Sequence, residues 1–156
     1  MKNTRFGLFL LLLVTFGLCG CMTGPKPGGV TVTALTLQLG LTSPTEVRAP
    51  LILRFANENV IALGYSASSH KLYLNGTYVG KAVNDQPIGL PPMNEATREV
   101  YLQFENATLV RQLAAGGSSH HVPYRLETVL FQTAGEDKLE IKTRSEGTLE
   151  LKNSGN

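Results

Sequence analysis

From Leu139 to Leu151 the chain alternates without a break. Leu139, Ile141, Thr143, Ser145, Gly147, Leu149 and Leu151 fall on one side, and Glu140, Lys142, Arg144, Glu146, Thr148 and Glu150 on the other. A period of two requires an extended strand with one face inward. Gly147 inside that run is expected to mark a bulge or bend. The same period recurs upstream. Leu35, Leu37, Leu39 and Leu41 alternate with polar or small residues, as do Leu51, Leu53 and Phe55 with Ile52 and Arg54. Val100, Leu102 and Phe104 form another set, and Val122, Tyr124, Leu126, Thr128 and Leu130 another.

Leu72-Tyr73-Leu74 and Thr77-Tyr78-Val79 flank Asn75-Gly76, the pair that best tolerates the positive φ angles of a type I′ turn. That turn predicts Leu74 opposite Thr77, Tyr73 opposite Tyr78, and Leu72 opposite Val79. The two tyrosines then form a cross-strand aromatic pair. One helix is expected over 107–115, capped by Asn106 and ended by Gly116. Gln86 to Pro92 is expected to be a loop. About seven short strands with turn signals between them, and one helix, predict an all-β fold: an antiparallel β-sandwich.

The leader has a different grammar. Lys2 and Arg5 precede the uncharged run Phe6 to Leu18, and Leu18-Cys19-Gly20-Cys21 follows. A basic start, a short apolar centre and small residues before a cut make a secretory signal. The run is shorter than the roughly 20 residues a spanning helix needs. The tetrapeptide resembles the bacterial lipobox. That resemblance implies cleavage after Gly20 and a lipid on Cys21, with Cys19 in place of the commoner Ala or Ser. Residues 1–20 then form the signal peptide. Residues 21–29 form the lipidated Cys and a linker whose two prolines and three glycines suit neither helix nor strand. Residues 30–152 form the folded domain and 153–156 a tail. The linker reaches at most about 25–30 Å.

Composition narrows the functions open to this domain. Of the two cysteines, Cys19 leaves with the signal and Cys21 carries lipid, so none remains for a disulfide or a thiolate site. Lys2 and Arg5 leave too, so the mature chain balances 12 Lys and Arg against 12 Asp and Glu. A balanced surface argues against nucleic acid, whose binding needs a basic patch. With 42% hydrophobic and 17% charged residues the chain lacks the signature of disorder. Met22 follows the lipobox cysteine, where an Asp tends to retain enterobacterial lipoproteins in the inner membrane. The expected location is therefore the bacterial envelope, at the outer membrane facing the periplasm.

Leu53-Arg54-Phe55-Ala56-Asn57-Glu58-Asn59, then Tyr73-Leu74-Asn75-Gly76-Thr77-Tyr78-Val79-Gly80-Lys81, then the proline loop, strand and helix occur in order. Together they resemble the LEA type 2 domain, also called the water stress and hypersensitive response domain. The family pattern has Asn-Pro-Asn, an Asn-Gly turn and a Val-Gly pair. Here Asn57, Asn59, Asn75, Gly76, Val79 and Gly80 match, while Glu58 replaces the proline. The resemblance spans roughly residues 30–152. It implies a fibronectin- or immunoglobulin-like sandwich of about seven strands and a link to desiccation and osmotic stress. It implies no catalytic residues and no cofactor.

No other residue pattern points to chemistry. His120 and His121 are adjacent, so on a strand they face opposite ways and suit no common metal. His70 stands alone before a strand and is expected at the surface. Asp85 and Asp137 read as turn residues. Ser66, Ser68, Ser69, Ser118 and Ser119 carry no nucleophile elbow. Tyr65, Tyr73, Tyr78, Tyr101 and Tyr124 fit sandwich packing with rim hydroxyls better than a partner patch. The reading is a non-enzymatic lipoprotein held to the membrane by Cys21, protecting envelope or protein clients. The alternative is an adaptor that binds one envelope partner.

Overall fold

The computed structural model describes residues 29–39, 48–106, 108, 109, 112, 115 and 119–153. The segments expected to form the signal peptide, the lipobox with Cys21 and the linker before Gly29 lie outside the described residues. So does most of the helix expected over 107–115. Its cap is present: the Leu109 N–H donates to Asn106 Oδ1 at 3.1 Å, the bond an N-cap makes to the third helical residue.

The remaining regular structure is almost entirely strand. β1 (Val30–Leu39), β2 (Arg48–Asn57), β4 (Ala67–Leu74), β5 (Thr77–Asn84), β7 (Glu95–Phe104), β8 (Ser119–Ala134) and β9 (Asp137–Asn153) form a closed sheet in the order β1-β2-β7-β5-β4-β8-β9. β3 (Leu63–Tyr65) and β6 (Ile88–Leu90) pair separately. β6 lies inside the segment expected to be loop. The fold is all-β, as the alternation predicts. The hydrogen bonding, however, gives one closed sheet where a two-sheet sandwich is expected. Two short seams make the difference. β1 runs parallel to β9 over Thr36–Leu39, and β5 meets β7 only at Gly80–Ala82. Neither seam has a local signal, because both join residues distant in sequence.

The core lies inside the closed sheet, and most of the alternating sets line it. Leu51, Leu53 and Phe55 are buried, as are Leu102, Leu126, Leu130, Leu149 and Leu151. Three details depart from strict alternation. The β1–β2 register shifts between Ala34 and Thr36. Val30, Val32 and Ala34 therefore face inward before the shift, Leu37 and Leu39 after it, and Leu35 is turned out. A bulge has this effect because the extra residue changes the parity of the strand. The second departure follows the Asn75-Gly76 turn, whose φ angles of 47° and 78° suit type I′. Leu74 faces Thr77 and Tyr73 faces Tyr78, but Leu72 faces Gly80, because Val79 is the extra residue of a bulge. Val79 and Gly80 are consequently buried side by side. The tyrosine rings meet at 5.4 Å between centroids, tilted by 56°.

The third departure is in β9. Its register with β8 is unbroken through Gly147, so that glycine is no bulge. A Cβ there would lie 3.2 Å from the Tyr124 ring, so Gly147 makes room for the ring. The first residues of β9 pair only with β8, and Leu139 is half exposed. The alternation there marks a ribbon that reaches beyond the core.

Tyr124 is buried, and its hydroxyl accepts the Ala34 N–H at 3.2 Å beside the β1 bulge. Tyr65 is equally buried, yet its hydroxyl has no partner among the described residues. Removing the two hydroxyls should therefore differ. Tyr124→Phe orphans a buried N–H and is expected to cost about 1–3 kcal/mol, whereas Tyr65→Phe is expected to cost nothing or to stabilise slightly. Urea unfolding of both variants checks the contrast.

Candidate functional site

The inward face of β2 carries Ala49, Leu51, Leu53 and Phe55, and the next position on that face is Asn57. Alternation thus carries an amide into the core, where Asn57 is buried. A buried amide must be hydrogen-bonded, and this one is used fully. Asn57 Nδ2 donates to Ile61 O at 2.8 Å, Pro91 O at 2.9 Å and Leu90 O at 3.2 Å. Asn57 Oδ1 accepts from the Asn59 N–H at 2.9 Å and from Asn59 Nδ2 at 3.0 Å. The backbone joins in. Asn57 N–H donates to Asn94 O at 2.8 Å, Met93 N–H to Asn59 O at 2.9 Å, and Glu58 N–H to Gly29 O at 2.9 Å. Asn59 Nδ2 also donates to Gly29 O at 3.1 Å. The two asparagines therefore tie together three segments: the start of β1, the loop after β2, and the turn after β6. The carbonyl partners of Nδ2 fix which way the Asn57 amide points.

Of the other motif residues, Asn75 and Gly76 make the turn at the opposite end of the sheet. Val79 supplies a carbonyl that accepts the N–H groups of Glu105 and Asn106 at 2.9 and 3.2 Å, which steers the chain after β7. Gly80 lies where β5 and β7 touch: a Cβ would come within 2.1 Å of Gln103 O. The motif residues are thus brought together in two clusters, and each holds chain segments in place.

Beyond the Gly80 seam β5 and β7 diverge. They leave a cleft of about 720 Å³, lined by Lys81, Val83, Glu99, Tyr101 and Gln103 among others. Val83 and Tyr101 are exposed there. The β7 edge over Glu95–Tyr101 has no strand partner on this side among the described residues. An unpaired edge beside exposed apolar groups can accept an extended peptide. The five tyrosines divide by location: Tyr65 and Tyr124 are in the core, Tyr101 is in this cleft, and Tyr73 and Tyr78 are on the outer face. Arg125 sits 3.8 Å above the Tyr73 ring.

His70 is a feature that reading along the chain misses. It is wholly buried on β4, opposite Thr128 of β8. Nδ1 lies 2.9 Å from Thr128 Oγ1 and Nε2 lies 2.9 Å from Ser68 Oγ. The ring meets Phe55 edge-on at 5.9 Å. A neutral imidazole donates at one nitrogen and accepts at the other, so two hydroxyls satisfy it. The signal for its burial is parity with Leu72 and Leu74 on the same strand. Burial pushes the His70 pKa down from 6.5 to about 4. The unfolded chain takes up a proton near pH 6.5, while the folded one resists until about pH 4. Stability therefore falls as pH drops through that window, by about 3 kcal/mol. Chemical denaturation at pH 7 and pH 4.5 measures this loss, and His70→Gln should reduce the slope.

His121 is exposed on β8, and no group of three or more His, Cys, Asp or Glu side chains forms a metal site among the described residues.

These features define a small all-β domain whose sheet closes through two short seams and whose loop end is held by a buried asparagine. The model for the family "Late embryogenesis abundant protein" (LEA_2) matches residues 53–154. The chain belongs to that family, as its asparagine and Val-Gly motifs indicate. Among solved structures, one from Arabidopsis thaliana shares the fold at 13% identity, with a TM-score of 0.53 over 90% of this chain and 91% of that one. A protein from Archaeoglobus fulgidus is 17% identical over 81% of this chain and 97% of the other, with a TM-score of 0.43. A late embryogenesis abundant protein known from its solution structure is 12% identical over 94% and 79%, with a TM-score of 0.44. No curated protein matches the chain significantly.

Proposed function

We propose that this chain is a lipid-anchored, non-enzymatic LEA-type protein that protects the bacterial envelope or its proteins when water becomes scarce. Family membership carries the reading: the LEA match covers most of the strands that build the closed sheet. The lipobox supports a location, with Cys21 as anchor in the outer membrane facing the periplasm. The buried polar groups support a structural use of the motif, since Asn57 and Asn59 bond within the domain. Protection requires that the domain itself survive drying, and the fully bonded amide of Asn57 and imidazole of His70 suit that demand. The purified lipidated protein should slow aggregation of dried client enzymes or leakage of dried vesicles. Lack of protection for either would count against this reading.

The β5–β7 cleft favours a second reading, an adaptor for one envelope partner. Crosslinking from a photoreactive residue at position 101 separates the two. A single stoichiometric product would indicate an adaptor, and broad capture that rises with drying would indicate protection.

A further inference from the structure

Seven large apolar side chains are exposed among the described residues, and the three most exposed belong to one end of the sheet. Val60 is 82% exposed, Met93 68% and Ile61 62%. They come from different loops, yet the Asn57 cluster holds those loops together. Asn57 Nδ2 reaches both Ile61 O and Pro91 O, and the Met93 N–H reaches Asn59 O. Met93 also has φ of +48°, a conformation that disfavours a side chain of its kind. Exposed apolar side chains gathered at one end of a domain are the kind of surface that contacts a partner or a membrane.

The chain itself indicates what it meets. Gly29 is bound into the same end through Glu58 and Asn59. Only the residues from Met22 separate it from Cys21, and they span at most about 25–30 Å. The tether thus enters at the end that carries the apolar cluster. Loops usually resist apolar surroundings because their carbonyls lose water. Here the carbonyls of Ile61, Leu90 and Pro91 already accept from Asn57. Of the neighbouring charges, Glu95 pairs with Arg54 at 3.7 Å and Glu58 accepts a hydrogen bond from Thr31 at 2.9 Å, while the β8–β9 turn at the same end carries the exposed, mostly acidic set Glu136, Asp137 and Lys138. This end therefore presents apolar side chains and no cationic patch, which suits shallow insertion better than attraction to anionic lipid.

We propose that Val60, Ile61 and Met93 dock into the interfacial layer of the bilayer that holds Cys21, setting the domain upright on its tether. The proposal rests on the lipoprotein reading. The protein has no tryptophan, so single substitutions give clean fluorescent probes. Mature lipidated Ile61→Trp and Met93→Trp, reconstituted in phosphatidylethanolamine–phosphatidylglycerol vesicles, should each show a blue shift and quenching by brominated lipid. Tyr101→Trp, on the barrel wall, should show neither. The β8–β9 turn lies at the same end, because β9 runs parallel to β1. Leu139→Trp therefore tests whether that ribbon docks instead. Mass spectrometry of the N-terminal peptide reads the anchor separately. A lipid on Cys21 with water-like emission at positions 61 and 93 overturns the docking alone. An unmodified Cys21 overturns the anchor and the docking with it. Quenching at 139 without quenching at 61, or a blue shift at 61 that grows with protein concentration before vesicles are added, also overturns it.

Discussion

Asn57→Asp is expected to lower the unfolding free energy by about 3 kcal/mol or more at neutral pH, although it changes one NH2 group to one oxygen. In the native protein that NH2 faces three carbonyls, those of Ile61, Leu90 and Pro91. A carboxylate would place a buried negative charge against all three. The carbonyls would lose their donor, and the new charge would lack a partner. The opposite side of the group changes less, because Oδ1 still accepts from Asn59. Asn59→Asp should cost clearly less, since Asn59 is only partly buried. Urea titrations of both variants and wild type measure the difference. A near-neutral Asn57→Asp would mean that the three segments are held by something other than this amide.

Gly80→Ala is the second large effect. The added Cβ would lie 2.1 Å from Gln103 O and 3.0 Å from its carbonyl carbon. Both are backbone atoms, so no rotamer change relieves the clash. Either the β5–β7 seam opens or both strands shift. Overpacking typically costs 1–3 kcal/mol, and a backbone clash of this depth is expected to reach about 3 kcal/mol or more. Hydrogen exchange should locate the damage, with the amides of Gly80–Ala82 and Leu102–Phe104 losing protection before those of β8. Gly64→Ala and Gly89→Ala are matched controls. Nothing lies within 4 Å of a Cβ at either site, so each should stay within about 0.5 kcal/mol of wild type.

These two residues also show how far the chain can be read without coordinates. Asn57 and Gly80 are visible as motif members, and the Asn75-Gly76 turn predicts its own register. The uses of Asn57 and Gly80 are not visible. Asn57 bonds to residues more than 30 positions away, and Gly80 clears a strand that begins at Glu95. Local patterns carry no information on such partners. The same limit explains the bulges at Leu35 and Val79, since each responds to a neighbouring strand that alternation cannot see. His70 is different. Its inward position follows from parity with Leu72 and Leu74, but a histidine between serine and lysine residues reads as surface. What overrides that appearance is the pair of hydroxyls on Ser68 and Thr128 that makes its burial tolerable. The long alternation of β9 overstates the core for a related reason: period two reports which way side chains point and not whether anything packs against them.

The stress-protection reading and the apolar end share one requirement, a domain kept at the membrane by Cys21. The most direct measurement is survival of a deletion strain after drying and osmotic upshift, with wild-type protein or Cys21→Ser restored at equal levels. The expected result is a survival defect that wild type repairs and Cys21→Ser does not. Normal survival of the deletion strain, or full rescue by Cys21→Ser, would contradict a protective role exercised at the membrane.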